Sequence, residues 1–100
     1  MIKIYGMPTC RYCSYIEEQV KGDKRFKVID IGENVRNMGK FMRLRDTSKA
    51  FDHAKEIGDI GIPAFVLEDG TVTLKPEDVG LKEYQPGEGT AACGIDGKGC

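Results

Sequence analysis

Short apolar runs alternate along this chain with stretches of helical period, and a turn or cap residue stands at each junction. Ile2 and Ile4 suit a strand ending at Tyr5, and Gly6-Met7-Pro8-Thr9 breaks it ahead of a helix. Thr9 is the expected N-cap, with Cys10 at the first helical position. Tyr12, Ile16 and Val20 then recur every four residues up to Gly22, while Glu17, Glu18 and Lys21 fall off the apolar stripe. Phe26 to Ile31 reads as a second strand, dense enough in Val28, Ile29 and Ile31 to be covered on both faces. Strand, helix and strand within about thirty residues predict a right-handed βαβ unit with two parallel strands.

Asn34 is placed to cap a second helix, with Val35, Met38, Phe41 and Met42 on its buried face and Arg36, Lys40, Arg43 and Arg45 outside; the methionines are expected to fill core gaps. Asp46-Thr47-Ser48 interrupts the pattern, and Ala50, Phe51, Ala54 and Ile57 resume it as far as Gly58, which predicts a kinked or broken helix pair. His53 lies off the apolar stripe and reads as an exposed helix residue rather than a ligand or base. Pro63 opens a strand over Ala64, Phe65, Val66 and Leu67, since deeper in the ladder it would remove a donor. Asp69-Gly70 turns that strand back into Thr71-Val72-Thr73-Leu74 as an antiparallel partner, and Lys75-Pro76-Glu77-Asp78 starts a short closing helix.

From Gln85 onward five glycines fall in sixteen positions, too many for regular structure without an external tie. The expected organisation is a folded domain over residues 1–84 and a flexible tail, 85–100, that carries Cys93 and Cys100.

One hundred residues allow one domain, and 40% hydrophobic with 31% charged residues argues against a disordered chain. No apolar stretch is long enough to span a bilayer, and Met1-Ile2-Lys3-Ile4-Tyr5 enters folded pattern directly, so the expected compartment is the cytoplasm. Net charge is −1 but uneven: residues 1–50 hold 11 Lys and Arg against 6 Asp and Glu, and residues 51–100 hold 4 against 10. A basic half around a reactive site would attract an anionic thiol or an acidic protein surface. Nucleic acid is not an expected partner, because no basic run is interleaved with aromatics.

The candidate chemistry lies in Cys10-Arg11-Tyr12-Cys13. At a helix N-terminus, unpaired backbone N–H groups and the positive end of the dipole favour a thiolate at Cys10, and Arg11 adds positive charge. Such thiols ionise with pKa values from about 7 down to about 3.5, against about 8.5 for a free cysteine. Cys13, one turn on, can attack a mixed disulfide formed on Cys10 and expel the substrate as a thiol. The same spacing is also half of a zinc or iron–sulfur site, whose second pair would have to be Cys93 and Cys100, with His53 in reserve. A spacing of seven positions from Cys93 to Cys100 differs from a tight second knuckle, and the first pair follows a strand, so redox chemistry is the leading reading.

The order strand, Cys-x-x-Cys helix, strand, helix, Ile-Pro strand, hairpin strand and closing helix resembles the glutaredoxin branch of the thioredoxin fold over residues 1 to 84. Cys10-Arg11-Tyr12-Cys13 is similar to that family's Cys-Pro-Tyr-Cys with Arg11 in place of proline, and Ile62-Pro63 stands where the family has its cis proline. The resemblance implies an α/β fold with a mixed four-stranded sheet flanked by helices, and a dithiol thiol–disulfide oxidoreductase. Cys10 would be the nucleophile and Cys13 the resolving thiol, with substrate contacts from Arg11, Tyr12, Ile62 and Pro63. It implies action on protein or small-molecule disulfides; no bound cofactor or metal is expected, because the sulfurs carry the electrons, and the chain is expected to be a monomer. Where glutathione-binding members carry a Gly-Gly pair, this chain has Leu74-Lys75-Pro76-Glu77-Asp78, which leaves glutathione and thioredoxin reductase both open as the electron source. Cys93 and Cys100 are a possible accessory redox pair able to exchange with Cys10.

Overall fold

The computed structural model describes residues 1–83. Tyr84 at the expected domain boundary, and the tail with Cys93 and Cys100, lie outside the described residues.

Strand β1 (Ile2–Gly6) leads into helix α1 (Arg11–Val20) and strand β2 (Phe26–Asp30). Helix α2 (Val35–Thr47) follows, then a 3-10 turn at Lys49–Phe51 and helix α3 (Asp52–Ile57). Strands β3 (Ala64–Val66) and β4 (Val72–Thr73) form a hairpin, and a second 3-10 turn, Pro76–Val79, closes the described chain. The expected closing helix is thus a single tight turn ended by Gly80.

The four strands form one mixed sheet in the order β2-β1-β3-β4. β1 runs parallel to β2, with Ile4 opposite Val28, and antiparallel to β3, with Ile4 opposite Phe65. β3 pairs antiparallel with β4 across the turn at Asp69-Gly70, where Leu67 N–H donates to Thr71 O at 2.8 Å.

Side chains alternate across a strand, so the central β1 must be apolar on both sides. Ile4 and Tyr5 are both buried. On the Tyr5 side lies α2: the Tyr5 and Phe41 rings are 6.1 Å apart, and Phe41 meets Phe51 edge-on at 5.7 Å. Gly6 shares the face of Ile4, and there the sulfur of Cys13 packs against it, so α1 covers this side of the sheet. Helix α1 buries Tyr12, Cys13, Ile16 and Val20, as its four-residue period predicts. Gln19 then ties α1 to the end of the described chain through two hydrogen bonds with the Lys82 backbone, at 2.8 and 2.9 Å.

Several apolar positions depart from expectation for a common reason, which is their place in the assembled layers. β2 is an edge strand and not covered on both faces, so Val28 is 38% exposed. On α2 the buried contacts come from Phe41, flanked by the half-buried Met38 and Leu44, while Val35 in the first turn is 87% exposed and Met42 is also exposed. Ile57, in the last turn of α3, is 56% exposed. Arg45, expected outside, instead lies half-buried and donates from Nε to Ile60 O and from Nη2 to Asp59 O, both at 2.9 Å. A guanidinium fork can satisfy two backbone carbonyls at once, which explains its position against the segment that leads to Pro63.

No described helix is long and apolar enough to cross a membrane.

Candidate active site

β1 delivers the chain to the cysteine motif through Gly6, Met7, Pro8 and Thr9, and the turn is fixed by Cys10 N–H donating to Met7 O at 3.2 Å. The N-cap of α1 is Cys10 and not Thr9, and the first helical residue is Arg11. Cys10 has extended backbone angles, φ −92° and ψ 120°, and its sulfur accepts from Cys13 N–H at 3.4 Å. Sulfur here does what a serine or threonine oxygen does in most caps: it takes an N–H that the first turn leaves without a backbone acceptor. The Cys10 sulfur thus sits at the positive end of α1, the placement from which the sequence reading expects a thiolate.

The two cysteines are in different chemical states. Cys10 takes part in a disulfide and is 2% exposed, whereas Cys13 is a free thiol, so the bond does not close within the motif. The expected open thiolate at Cys10 is therefore not the state in this structure, because a sulfur engaged in a disulfide has no proton to lose. Cys13 is also buried, and loss of water pushes its thiol up to about 12; a backbone hydrogen bond with Met7 opposes this, and the smaller effect of the Glu17 charge one turn on adds to it. It stays protonated at neutral pH. Glu17 itself is raised, first by burial and then by the charge of Asp30 at the end of β2.

Gly6 is what makes room for Cys13. A Cβ at residue 6 would lie 2.9 Å from the Cys13 sulfur and 3.2 Å from its Cβ. Sequence reasoning took Gly6 only as a strand breaker; the signal for close approach was a glycine at a strand end facing a helix that carries chemistry.

Tyr12 is buried in the middle of the motif, and Arg11 is exposed. Burial, then the charges of Glu83 and Glu77, push the Tyr12 phenol up to about 12. The Ile62-Pro63 peptide bond is cis, the geometry that the resemblance implies. Tyr12 meets Ile62 and Pro63 in a cleft of about 270 Å³, whose other walls come from α3 and from Leu74 and Lys75. Three of the four expected substrate contacts thus share one cleft; Arg11 does not line it. His53 is exposed, as expected, and stands on the cleft wall with Asp59 and Glu83, none of which sequence reasoning had placed there. Gly61, with φ +96°, brings the chain past Phe51 into Ile62.

At the end of β4, Thr73 Oγ1 donates to Asp78 Oδ2 at 2.6 Å and accepts from Lys75 N–H at 3.1 Å. Among the described residues no three His, Cys, Asp or Glu side chains come together as a metal site. A cluster using Cys93 and Cys100 falls outside the described residues.

No family model matches this chain, and no solved structure matches it. An uncharacterized protein from Haemophilus influenzae is 44% identical to it over 46 residues, which is 46% of this chain and 54% of that protein. The chain therefore spans about half the length of the curated relative it matches.

Proposed function

We propose that the protein is a dithiol thiol–disulfide oxidoreductase with a glutaredoxin-like form of the thioredoxin fold. One observation carries this reading: a cysteine sulfur caps a helix N-terminus with a second cysteine one turn on, and Tyr12 between them lines a cleft with a cis proline. The strand order and the mixed pairing agree with that fold.

In the reaction, the Cys10 thiolate attacks one sulfur of a substrate disulfide. The substrate S–S bond breaks, its other sulfur leaves as a thiolate, and a mixed disulfide on Cys10 results. Cys13 then attacks the Cys10 sulfur and displaces the second substrate sulfur, which leaves as a thiol with the proton that Cys13 gives up. The Cys10–Cys13 disulfide that forms has given up two electrons, and the substrate has gained them. Two molecules of glutathione, or thioredoxin reductase, would return those electrons. Burial of Cys13 suits the later step, because a protonated thiol does not compete with Cys10 for substrate. The chemistry belongs in a compartment that keeps thiols reduced, such as the cytoplasm.

Reduction of a protein disulfide, coupled to NADPH through either glutathione with glutathione reductase or thioredoxin reductase, tests the reading. Activity should vanish in Cys10→Ser. Undiminished activity in that variant would overturn it, and comparison of the two couplings identifies the electron source.

A further inference from the structure

The cleft beside Tyr12 carries a charge pattern that the exchange chemistry does not use. Its lining is apolar at Ile57, Ile62 and Leu74, and Ile57 keeps more than half of its surface in water although it faces the cleft. Around this lining stand two carboxylates, Asp59 and Glu83, against one ammonium, Lys75. Glu77 lies close enough to Tyr12 for its charge, with that of Glu83, to act on the phenol. His53 also stands on the lining, and Arg11 stands outside it. Of the cations in the first half of the chain, Arg45 meets Asp59 only at its backbone oxygen and does not line the cleft, and Arg36, Lys40 and Arg43 form one patch of α2. Among the described residues the lining of the cleft therefore carries one more carboxylate than ammonium.

An acidic rim around an apolar lining fits a particular class of ligand. An apolar side chain gains by covering Ile57, Ile62 and Leu74, and a cationic neighbour gains from Asp59 and Glu83. Glutathione carries two carboxylates and one ammonium, and Lys75 can meet only one of those carboxylates.

We propose, on the basis of the thiol–disulfide exchange reading, that this cleft selects disulfides borne on basic peptide segments. An apolar side chain next to the substrate cysteine lies on Ile62 and Leu74, and a flanking lysine or arginine lies toward Asp59 and Glu83. Glutathione mixed disulfides are the poorer substrates.

The test compares two disulfide-linked fluorogenic peptides of one sequence, with lysine or glutamate flanking a Leu-Cys pair, and a glutathione mixed disulfide of the same fluorophore. The full chain is kept reduced by dithiothreitol, and each rate is divided by the rate with dithiothreitol alone. That division removes the direct effect of a nearby lysine on the leaving thiolate. The lysine peptide should have a kcat/KM about fivefold above the glutamate peptide at low salt, mostly through KM, and the ratio should shrink toward one near 0.5 M salt, where screening is about complete. In Asp59→Asn combined with Glu83→Gln the low-salt ratio should fall at least halfway to one. Equal rates for the two peptides, or a faster glutamate peptide or glutathione disulfide, would overturn the specificity while leaving the oxidoreductase reading in place. Turnover of none of the three substrates would overturn both.

Discussion

Gly6 at the end of β1 and Cys13 in α1 are packed so tightly that a methyl group on the glycine would stand 2.9 Å from the cysteine sulfur. That approach joins the sheet to the second thiol of the motif. Gly6→Ala should cost about 1–3 kcal/mol, the usual range for overpacking a filled core, read by urea unfolding. During turnover it should also slow resolution, so that chains quenched with acid carry more substrate-linked Cys10 than the wild type, as mass spectrometry would show. Destabilisation without accumulation of the mixed disulfide would make Gly6 purely structural.

Burial gives Cys13 a pH signature. Its pKa stands near 12 in the folded chain against an ordinary value of 9.0. The folded state therefore holds this proton more tightly than the unfolded state. The associated stability is fully present below about pH 9 and is lost as pH rises toward 12. Urea midpoints measured upward from pH 8 should fall less steeply in Cys13→Ala than in the wild type. Part of the slope should persist in the variant, because the buried Tyr12 phenol is raised in the same direction.

Glu17 feeds into the same group, since its negative charge opposes ionisation of Cys13. Glu17→Gln should lower the Cys13 pKa, and alkylation of Cys13 in the reduced protein should begin at a lower pH than in the wild type. An unchanged alkylation profile would show that Glu17 does not set the value.

The Arg45 fork on Ile60 O and Asp59 O predicts that Arg45→Met costs about 2 kcal/mol, near the range for hydrogen bonds from a charged donor. Lysine should recover only part, because it lacks the planar fork. The Asp59 amide, bonded to Ala54 O at 2.7 Å, should exchange with solvent faster in both variants. Exchange confined to its wild-type rate would argue that the fork does not hold this segment.

Two glycines with positive φ should respond differently to alanine. Gly61 has φ +96° and a Cβ there would lie 2.7 Å from Cδ1 of Phe51, whereas Gly22 has φ +78° and nothing within 4 Å. Gly22→Ala should cost about 1 kcal/mol from backbone strain, and Gly61→Ala at least about 2 kcal/mol from strain and collision together. Thermal unfolding of the two variants measures the difference.

What the sequence made legible was local and periodic. The stripe of Tyr12, Ile16 and Val20 is the buried face of α1, Asn34 caps α2 with its side chain on Asn37 N–H at 2.8 Å, and Asp69-Gly70 makes the hairpin. The cap of α1 was misplaced by one residue because cysteine is not among the usual cap residues, yet its sulfur takes the N–H. Val28, Val35 and Ile57 are apolar and exposed, since an edge strand and a first or last helical turn leave apolar residues uncovered. The contact of Gly6 with Cys13 and the fork of Arg45 on Asp59 and Ile60 depend on residues that only the fold brings together. The cleft was half legible: Tyr12, Ile62 and Pro63 came from the motif, while Asp59, Lys75 and Glu83 are brought to it by the fold.

The difference in ionisation between the two thiols of the motif tests the account most directly. After full reduction, the protein is alkylated briefly with iodoacetamide at about pH 6, and the modified cysteines are located by mass spectrometry. Cys10 should react well ahead of Cys13 and of an ordinary thiol, because the helix N-terminus favours its thiolate while burial keeps Cys13 protonated. Modification of Cys10 no faster than that of a free cysteine peptide would contradict the account.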